Sequence, residues 1–156
     1  MSTVLIDLPD AVMGRLRDTV PDLLHTTGGA LDFEALIAAK QLPTRLPAAY
    51  VVGGLWDATP SERPGRLSTQ ATEAVAVVLI QGSLRDTTGE AARVAVWPLQ
   101  RAVLTTLTGW IPAAGYAPLA PVSSRLQRLG GDVRTGAVTV TLEFATSWTW
   151  HVTPHI

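Results

Sequence analysis

The segment from Val138 to Val152 alternates in polarity without a break, and it constrains the possible folds more than any other part of the chain. One parity is apolar apart from Thr146 and consists of Val138, Val140, Leu142, Phe144, Thr146, Trp148, Trp150 and Val152. A period of two with β-branched and aromatic residues predicts a strand with one apolar face. Such a strand is roughly 50 Å long at about 3.3 Å per residue, whereas a compact domain of this chain length is about 40 Å across. We therefore expect the strand to bend or to leave its own domain, and its end, Trp148–Val152, to form a sharp bend or a contact between subunits.

Three helices are predicted. The first has Val12, Met13, Leu16 and Val20 at helical spacing and is ended or kinked by Pro21. In the second, Asp32 is placed to cap a short helix with Phe33, Leu36 and Ile37 on one face. The third and longest starts in the region 86–90 and has an apolar stripe of Ala92, Val96, Leu99, Val103 and Leu107. Pro98 should kink this long helix at a cost of about 3 kcal/mol, and the segment from Gly109 to Pro112 should close it.

Four strands are predicted: Ala48–Asp57, a strand within Thr69–Leu84, Val122–Leu129 and Val138–Val152. In the first, Tyr50, Val52 and Trp56 share one parity, and Gly53-Gly54 suggests a bulge or a close backbone approach. The polar segment Asp57–Arg66 contains two prolines and a glycine, which predicts a projecting loop. The unbroken apolar run Ala74–Ile80 predicts that the second strand is central in the sheet.

These elements predict a single α+β domain spanning residues 1–156. It should have an antiparallel four-stranded sheet, one long helix packed on a face of it through Leu142 and Phe144, and two short N-terminal helices. The last two strands should form an antiparallel hairpin whose turn begins at Gly130-Gly131-Asp132.

The sequence offers little for catalysis or metal binding. There is no cysteine, carboxylates are scattered singly, and the glycine doublets lack the spacing that cradles phosphate. His25, His151 and His155 have no convincing partner in the sequence, and His151 is more simply a solvated or interface histidine. We therefore predict no catalytic residue, no metal and no cofactor, and a protein that is not an enzyme.

Charge and hydropathy limit the partners further. A net charge of −1 argues against a general nucleic-acid binder. The N-terminus lacks a signal peptide, and the longest apolar run, seven residues from Ala74 to Ile80, is too short to cross a bilayer. These features predict a soluble protein that is made in the cytoplasm and has no membrane partner.

The five tryptophans stand out in a chain with only two Phe and two Tyr. Trp148, on the apolar parity of the last strand, is predicted to lie in the core. Trp56, beside the projecting segment, and Trp150, near the strand end, fit a core or an interface equally well, because exposed Trp and Arg are typical of interface hot spots.

Four segments together resemble the tail terminator proteins of tailed bacteriophages. They are Leu46–Val52, Glu73–Leu79, Gly109–Pro112 and Glu143–Trp148, in the same order and spacing over roughly residues 40 to 150. The resemblance implies a small α+β virion protein that forms a ring, usually a hexamer, on the head-proximal end of the tail. It further implies that the ring caps the tail tube, stops its polymerisation and offers a surface to head-completion proteins.

Under this interpretation the expected partners are further copies of the chain, the tail tube protein and head-completion proteins, with synthesis in the host cytoplasm. The expected interface residues are Trp56, Arg63, Arg66, Trp148, Trp150 and His151. Arg63 and Arg66 could cross a subunit boundary or face passing DNA, a contact that would be at most non-specific. Two alternatives remain at this point: a head-tail connector or other minor tail protein, and a small ligand-binding or hydrolase domain, which a pocket holding His25 or His151 beside a carboxylate would favour.

Overall fold

The protein is a mixed α+β domain, as predicted. The structure is a computed structural model that describes residues 3–39, 43, 45–82, 90–128 and 137–155. In chain order the elements are α1 (Leu8–Thr19), a 3₁₀ turn (Pro21–Leu23), β1 (Thr27–Gly29), α2 (Ala30–Ala39), β2 (Ala48–Arg63), β3 (Arg66–Gln81), α3 (Glu90–Leu107), β4 (Ala120–Arg128) and β5 (Val138–Val152).

The described strands form one sheet in the order β1-β2-β3-β5-β4. Four of them, β2, β3, β5 and β4, pair antiparallel, while β1 pairs parallel with β2. The prediction of a four-stranded sheet was therefore wrong by one strand, because the three residues of β1 are too few to show any periodicity. The apolar run in β3 correctly predicted a central strand, since β3 lies between β2 and β5.

The hydrophobic core lies between one face of the sheet and the helices α1 and α3. Leu142 and Phe144 of β5 belong to the same buried cluster as the complete apolar stripe of α3, which confirms the predicted packing. Buried side chains of α1 in this cluster are Leu8, Val12 and Leu16. Each fully buried Leu or Phe contributes about 1.5–3 kcal/mol, so this cluster is the main source of stability.

Local chemistry explains the boundaries of α1. The Asp7 carboxylate accepts a hydrogen bond from the Asp10 N–H at 3.2 Å, and Pro9 lies in the first turn, where it removes no helical hydrogen bond. The Val20 N–H still donates to the Leu16 carbonyl, and Pro21 then starts a separate 3₁₀ turn. The predicted end at Pro21 is confirmed.

The helix α2 differs in detail from the prediction. It begins at Ala30, so Asp32 lies inside the first turn rather than before it, and its carboxylate reaches back to the Gly29 N–H at 3.0 Å. This is the returning half of a capping box. Phe33 packs against Tyr50 with ring centroids 5.5 Å apart, but Ile37 is exposed, so the predicted common face was wrong at that position.

The helix α3 runs through Pro98 as one element. Pro98 is exposed and its neighbours in the apolar stripe stay buried, so the proline lies on the solvent side of the helix. Gly109 follows the helix with φ of +80°, and its N–H donates to the Leu119 carbonyl at 2.8 Å, which confirms the predicted closure. The predicted helix start at residues 86–89 lies outside the described residues.

The segment Asp57–Arg66 is not a loop. It continues β2 to Arg63, turns at Pro64-Gly65 and re-enters the sheet as β3. Gly65 has φ of +75°, which glycine adopts at little cost, so a two-residue turn suffices. The loop prediction failed because a strand with neither face on the core has no apolar alternation to recognise.

Strand β5 is paired with β3 along its whole length, from Val138 opposite Gln81 to Val152 opposite Leu67. Its end therefore passes beyond the buried core accompanied by β2 and β3 of the same chain. We call residues 56–70 and 149–152 the arm, because no side chain of this segment whose burial is described is buried. Strand β4 pairs antiparallel with β5 as predicted, but Leu129 and the turn expected at residues 130–132 lie outside the described residues.

Candidate assembly surface

The base of the arm is organised around Trp148. Its side chain is only 7% exposed, and its Nε1–H donates to the Glu73 carboxylate at 3.0 Å. The ring lies 6.4 Å from the Tyr116 ring and 5.6 Å from the Trp56 ring, centroid to centroid. Trp148 is thus a core residue, as predicted, and its indole N–H has a hydrogen-bond partner at the base of the arm.

A bulge in β2 brings Trp56 to this site. Gly53 lies opposite Val75 of β3, but Trp56 lies opposite Glu73, so β2 uses three steps where β3 uses two. Trp56 therefore changes face relative to Tyr50, with which strict alternation had grouped it. The glycine doublet makes this possible, because a Cβ on Gly54 would lie 2.8 Å from the Ala74 carbonyl oxygen.

The same face of the arm continues outward with exposed apolar groups. Trp56 is 53% exposed and Trp150 is 44% exposed, while Pro60 lies opposite Thr69, which in turn lies opposite Trp150. Directly opposed residues of antiparallel strands project to the same side. We call this side the aromatic face, and it includes Trp56, Pro60, Trp148 and Trp150.

The other side of the arm is polar and cationic. A cavity of about 200 Å³ is lined by Ser61, Arg63, Arg66, Ser68 and His151, which come from three adjacent strands. The register explains this grouping, since Ser61, Ser68 and His151 form one row across the sheet and Arg63 lies opposite Arg66. We call this the basic face. Within the described part of the chain neither arginine has an ion pair or a side-chain hydrogen bond.

The structure thus gathers all six predicted interface residues at one end of the sheet but divides them between its two sides. Trp56, Trp148 and Trp150 share the aromatic face, and Arg63, Arg66 and His151 share the basic face. The segment before α1 also contributes here, since the Thr3 hydroxyl donates to the Thr149 carbonyl in the arm.

Burial near the base raises the pKa of Tyr116. The nearby negative charge of Glu73 raises it further, whereas the hydrogen bond that the hydroxyl oxygen accepts from the Ile6 N–H at 3.3 Å opposes the shift. Burial likewise raises the pKa of Tyr50, with a smaller contribution from Asp32. Both phenols are therefore held in the neutral form to higher pH than in water.

Sequence reasoning missed exposed apolar side chains on two helices. Leu31 lies on α2, which buries none of its residues, and Val94 and Trp97 lie on the solvent side of α3. The signal for α2 was present, because apart from Asp32 and Glu34 the segment Ala30–Ala39 is apolar, and its apolar residues are spread around the helix rather than along one stripe. Trp97 is 58% exposed, which makes it a useful comparison for the tryptophans of the arm.

A second cavity, of about 420 Å³, contains His25 and Asp32 together with Arg45 and Tyr50. This is the juxtaposition that would favour a ligand-binding or hydrolytic domain. The Asp32 carboxylate, however, already binds the Gly29 N–H in the helix cap, and within the described residues His25 has no hydrogen bond to it. In the same described ranges no three His, Asp or Glu side chains are grouped to hold a metal ion, and no described helix has the length and hydropathy to cross a membrane.

The arm and its exposed tryptophans have the composition of a protein-protein interface, which is typical of a subunit of a larger assembly. The chain belongs to the phage tail terminator protein family, whose model matches residues 1–153. It is therefore a structural protein of a bacteriophage virion tail.

The fold has a counterpart among solved structures. A chain in the virion of a native gene transfer agent (GTA) particle is similar with a TM-score of 0.55 and 19% sequence identity. The match covers 91% of this chain and 94% of that one. Among curated protein sequences, no significant match was found.

Proposed function

We propose that this protein is a non-enzymatic tail terminator that forms a homo-oligomeric ring at the head-proximal end of the tail, hexameric as the family resemblance implies. The ring caps the tail tube, stops its polymerisation and offers its other surface to head-completion proteins. The observation that carries the proposal is the arm, a three-stranded extension of the sheet that leaves the core and exposes Trp56 and Trp150 on one face.

The arm suits a contact with another subunit for two reasons. Rigid aromatic side chains supply large contact area at a low cost in conformational entropy, and tryptophan is enriched among residues that dominate binding energy. In addition, β2 pairs with β1 only from Ala49 to Val51, so within the described residues its outer edge is free along the arm. A free strand edge offers backbone donors and acceptors to another chain.

The contact must be heterologous for a ring. The aromatic and basic faces differ in chemistry, so the neighbouring copy can bind one of them through a different surface of its own. Contacts between unlike surfaces generate closed rings when the rotation between copies closes. The arm can therefore serve either the neighbouring copy or the tube, and in both cases Trp150 is predicted to be covered.

The test compares two exposed tryptophans. Full-length protein is mixed with purified tail tubes, and tube length and capped ends are recorded by electron microscopy, while native mass spectrometry reports the ring. Trp150→Ser should raise the protein concentration required for capping at least tenfold. This is the loss expected when a hot-spot residue that contributes about 2 kcal/mol or more is removed. Trp97→Ser removes a tryptophan of α3 that is 58% exposed, more than the 44% of Trp150, and should leave capping unchanged.

A protein that stays monomeric and does not alter tube length at saturating concentration contradicts the proposal. Equal effects of the two substitutions would contradict the role of the arm. Detection of the protein at the portal side of the particle, away from the tube end, would instead favour a head-tail connector.

The cavity containing His25 and Asp32 supports a second candidate function, a small-ligand site. His25→Ala and Arg45→Ala should then impair a ligand-dependent change in thermal stability without affecting tube capping. A ligand-dependent change in thermal stability that is the same in both variants as in the wild type would count against this candidate.

A further inference from the structure

We propose that the basic face of the arm binds a phosphate group, with the phosphodiester backbone of nucleic acid and free inorganic phosphate as its two possible sources. The site is the cavity of about 200 Å³ lined by Ser61, Arg63, Arg66, Ser68 and His151. It goes beyond the proposed ring, because it needs no second copy of the chain and assigns a ligand to the side of the arm that bears no tryptophan.

The composition of the cavity is that of an oxyanion site. Its five lining side chains offer two guanidinium groups, two hydroxyls and one imidazole, and they include no carboxylate. Arginine presents a planar fork of donors that matches the oxygens of a phosphate, and hydroxyls donate single additional hydrogen bonds. A phosphate offers more acceptor oxygens than a carboxylate does, so a site with donors from three strands suits it better.

The two guanidinium groups of the arginine pair repel each other when no anion is bound between them. Arg63 and Arg66 lie directly opposite each other on antiparallel strands, and like charges in that position destabilise the sheet. Within the described residues neither is neutralised by an ion pair. An anion between the two guanidinium groups removes the repulsion and gains two charge-assisted hydrogen bonds.

The sheet register makes the site a built feature rather than a chance cluster of long side chains. Ser61, Ser68 and His151 are directly opposed across three strands, and the arginines occupy the next row toward the turn. Because the turn between Arg63 and Arg66 contains only Pro64 and Gly65, the spacing of the two arginines is set by the hairpin. The donors are therefore held on a paired backbone before any ligand binds.

The test uses the full-length protein in its natural assembly state. Inorganic phosphate is titrated while the histidine ring signals are followed by NMR, with sodium chloride of matched ionic strength as the control. The His151 signals should shift and saturate with phosphate but not with chloride, and Arg63→Gln/Arg66→Gln should abolish the saturable shift. A second experiment uses fluorescence anisotropy to measure binding of a fluorescein-labelled single-stranded oligonucleotide, its duplex form and a poly-glutamate peptide.

Arg101→Gln/Arg125→Gln is the matched control, since it removes two exposed arginines from α3 and β4. If nucleic acid is the source, the Arg63/Arg66 double variant should lower the slope of log affinity against log salt by about 2. The part of the wild-type affinity that comes from these two phosphate contacts should weaken about tenfold between 50 and 200 mM salt. The control variant should bind as the wild type does.

Saturable binding of inorganic phosphate without oligonucleotide binding would support the site and assign it to the free anion. The absence of any saturable phosphate effect, or equal loss in both double variants, would overturn the proposal. So would binding of poly-glutamate in place of phosphate and nucleic acid, because the face would then be a contact for an acidic protein. None of these outcomes depends on whether the protein caps tubes.

Discussion

At the scale of single residues, the molecule places polar atoms where they support the arm. Trp148 gives its indole N–H to Glu73, and Tyr116 accepts the N–H of Ile6, so two aromatic rings at the base are each fixed by one hydrogen bond. A buried aromatic residue whose polar atom is satisfied contributes its apolar area without a desolvation penalty. The base of the arm is therefore ordered before Trp56 and Trp150 meet any partner.

The two tyrosines give a prediction for pH dependence. Tyr50 and Tyr116 are the only tyrosines in the chain, and the pKa of each is raised above its ordinary value of 10.0. The phenolate absorbance of the folded protein should therefore titrate at a higher midpoint than that of the urea-unfolded chain. Tyr50→Phe and Tyr116→Phe each leave one phenol and separate the two contributions.

The direction of these pKa shifts determines how the free energy of unfolding changes with pH. The folded state binds the phenolic protons more tightly than the unfolded state does, so it gains stability that is fully present below the unfolded pKa of about 10. That contribution is lost as pH rises through the higher folded pKa values. Urea unfolding at pH 8 to 11 should show this decline, and Tyr116→Phe should make it shallower. A folded midpoint at or below the unfolded one would contradict both predictions.

At the scale of elements, the sequence predicted the strands and helices whose residues face a core. It did not predict the segments that lie outside the core. The bounds of β5 and the buried stripe of α3 agree with the prediction, because burial on one side imposes a period of 2 or 3.6. The second half of β2 carries polar residues and Pro60, yet it is a strand. An edge strand tolerates proline, and an arm outside the core needs no alternation.

The candidate site follows the same pattern. Its six residues could be chosen from the sequence by composition and position, but their division into two faces could not. That division depends on the bulge between Gly53 and Trp56, which reverses the parity of everything after it in β2. The doublet Gly53-Gly54 predicted a bulge in β2. The number of residues in the bulge, and the face on which β2 continues after it, are set by the pairing with β3.

The bulge itself yields a prediction. Gly54→Ala would place a Cβ 2.8 Å from the backbone oxygen of Ala74, which cannot move without disturbing the ladder. Overpacking of this kind should lower the free energy of unfolding, measured by urea denaturation, by about 1–3 kcal/mol. It should also change the near-UV circular dichroism of the Trp56 and Trp148 pair.

Gly14→Ala is the control for this substitution. Gly14 lies within α1 and has no atom within 4 Å of its added Cβ, so alanine should stabilise by about 0.5–1 kcal/mol. If Gly54→Ala were as harmless as Gly14→Ala, the close approach of β2 to β3 would not be what positions Trp56.

At the scale of the whole molecule, folding and assembly use different parts of the sheet. The buried clusters extend only as far as Ala71 and Trp148, and the arm lies beyond them. The chain therefore keeps three paired strands in a region that stabilises little of its own core. Such a segment is expected where another molecule completes the packing, and it separates the stability of the subunit from its function in the tail.

Shortening the arm tests this separation. Pro60 and Thr69 lie directly opposite each other, so the segment between them can be replaced by Asn-Gly, which favours a two-residue hairpin turn. The variant loses Arg63, Arg66 and the ends of β2 and β3 beyond Trp150, but it keeps every residue of the two buried clusters. Its melting temperature should fall by only a few degrees, about 2–4 °C for each kcal/mol lost in a domain of this size. Phosphate binding should disappear, whereas tube capping should weaken but persist, because Trp56 and Trp150 remain. Circular dichroism at increasing temperature, electron microscopy of capped tubes and the NMR titration with phosphate measure the three quantities on one preparation. A shortened protein that is unfolded at 25 °C would show that the arm belongs to the folding unit. One that caps tubes as well as the wild type would show that residues 61–68 take no part in the contact with the neighbouring copy or the tube.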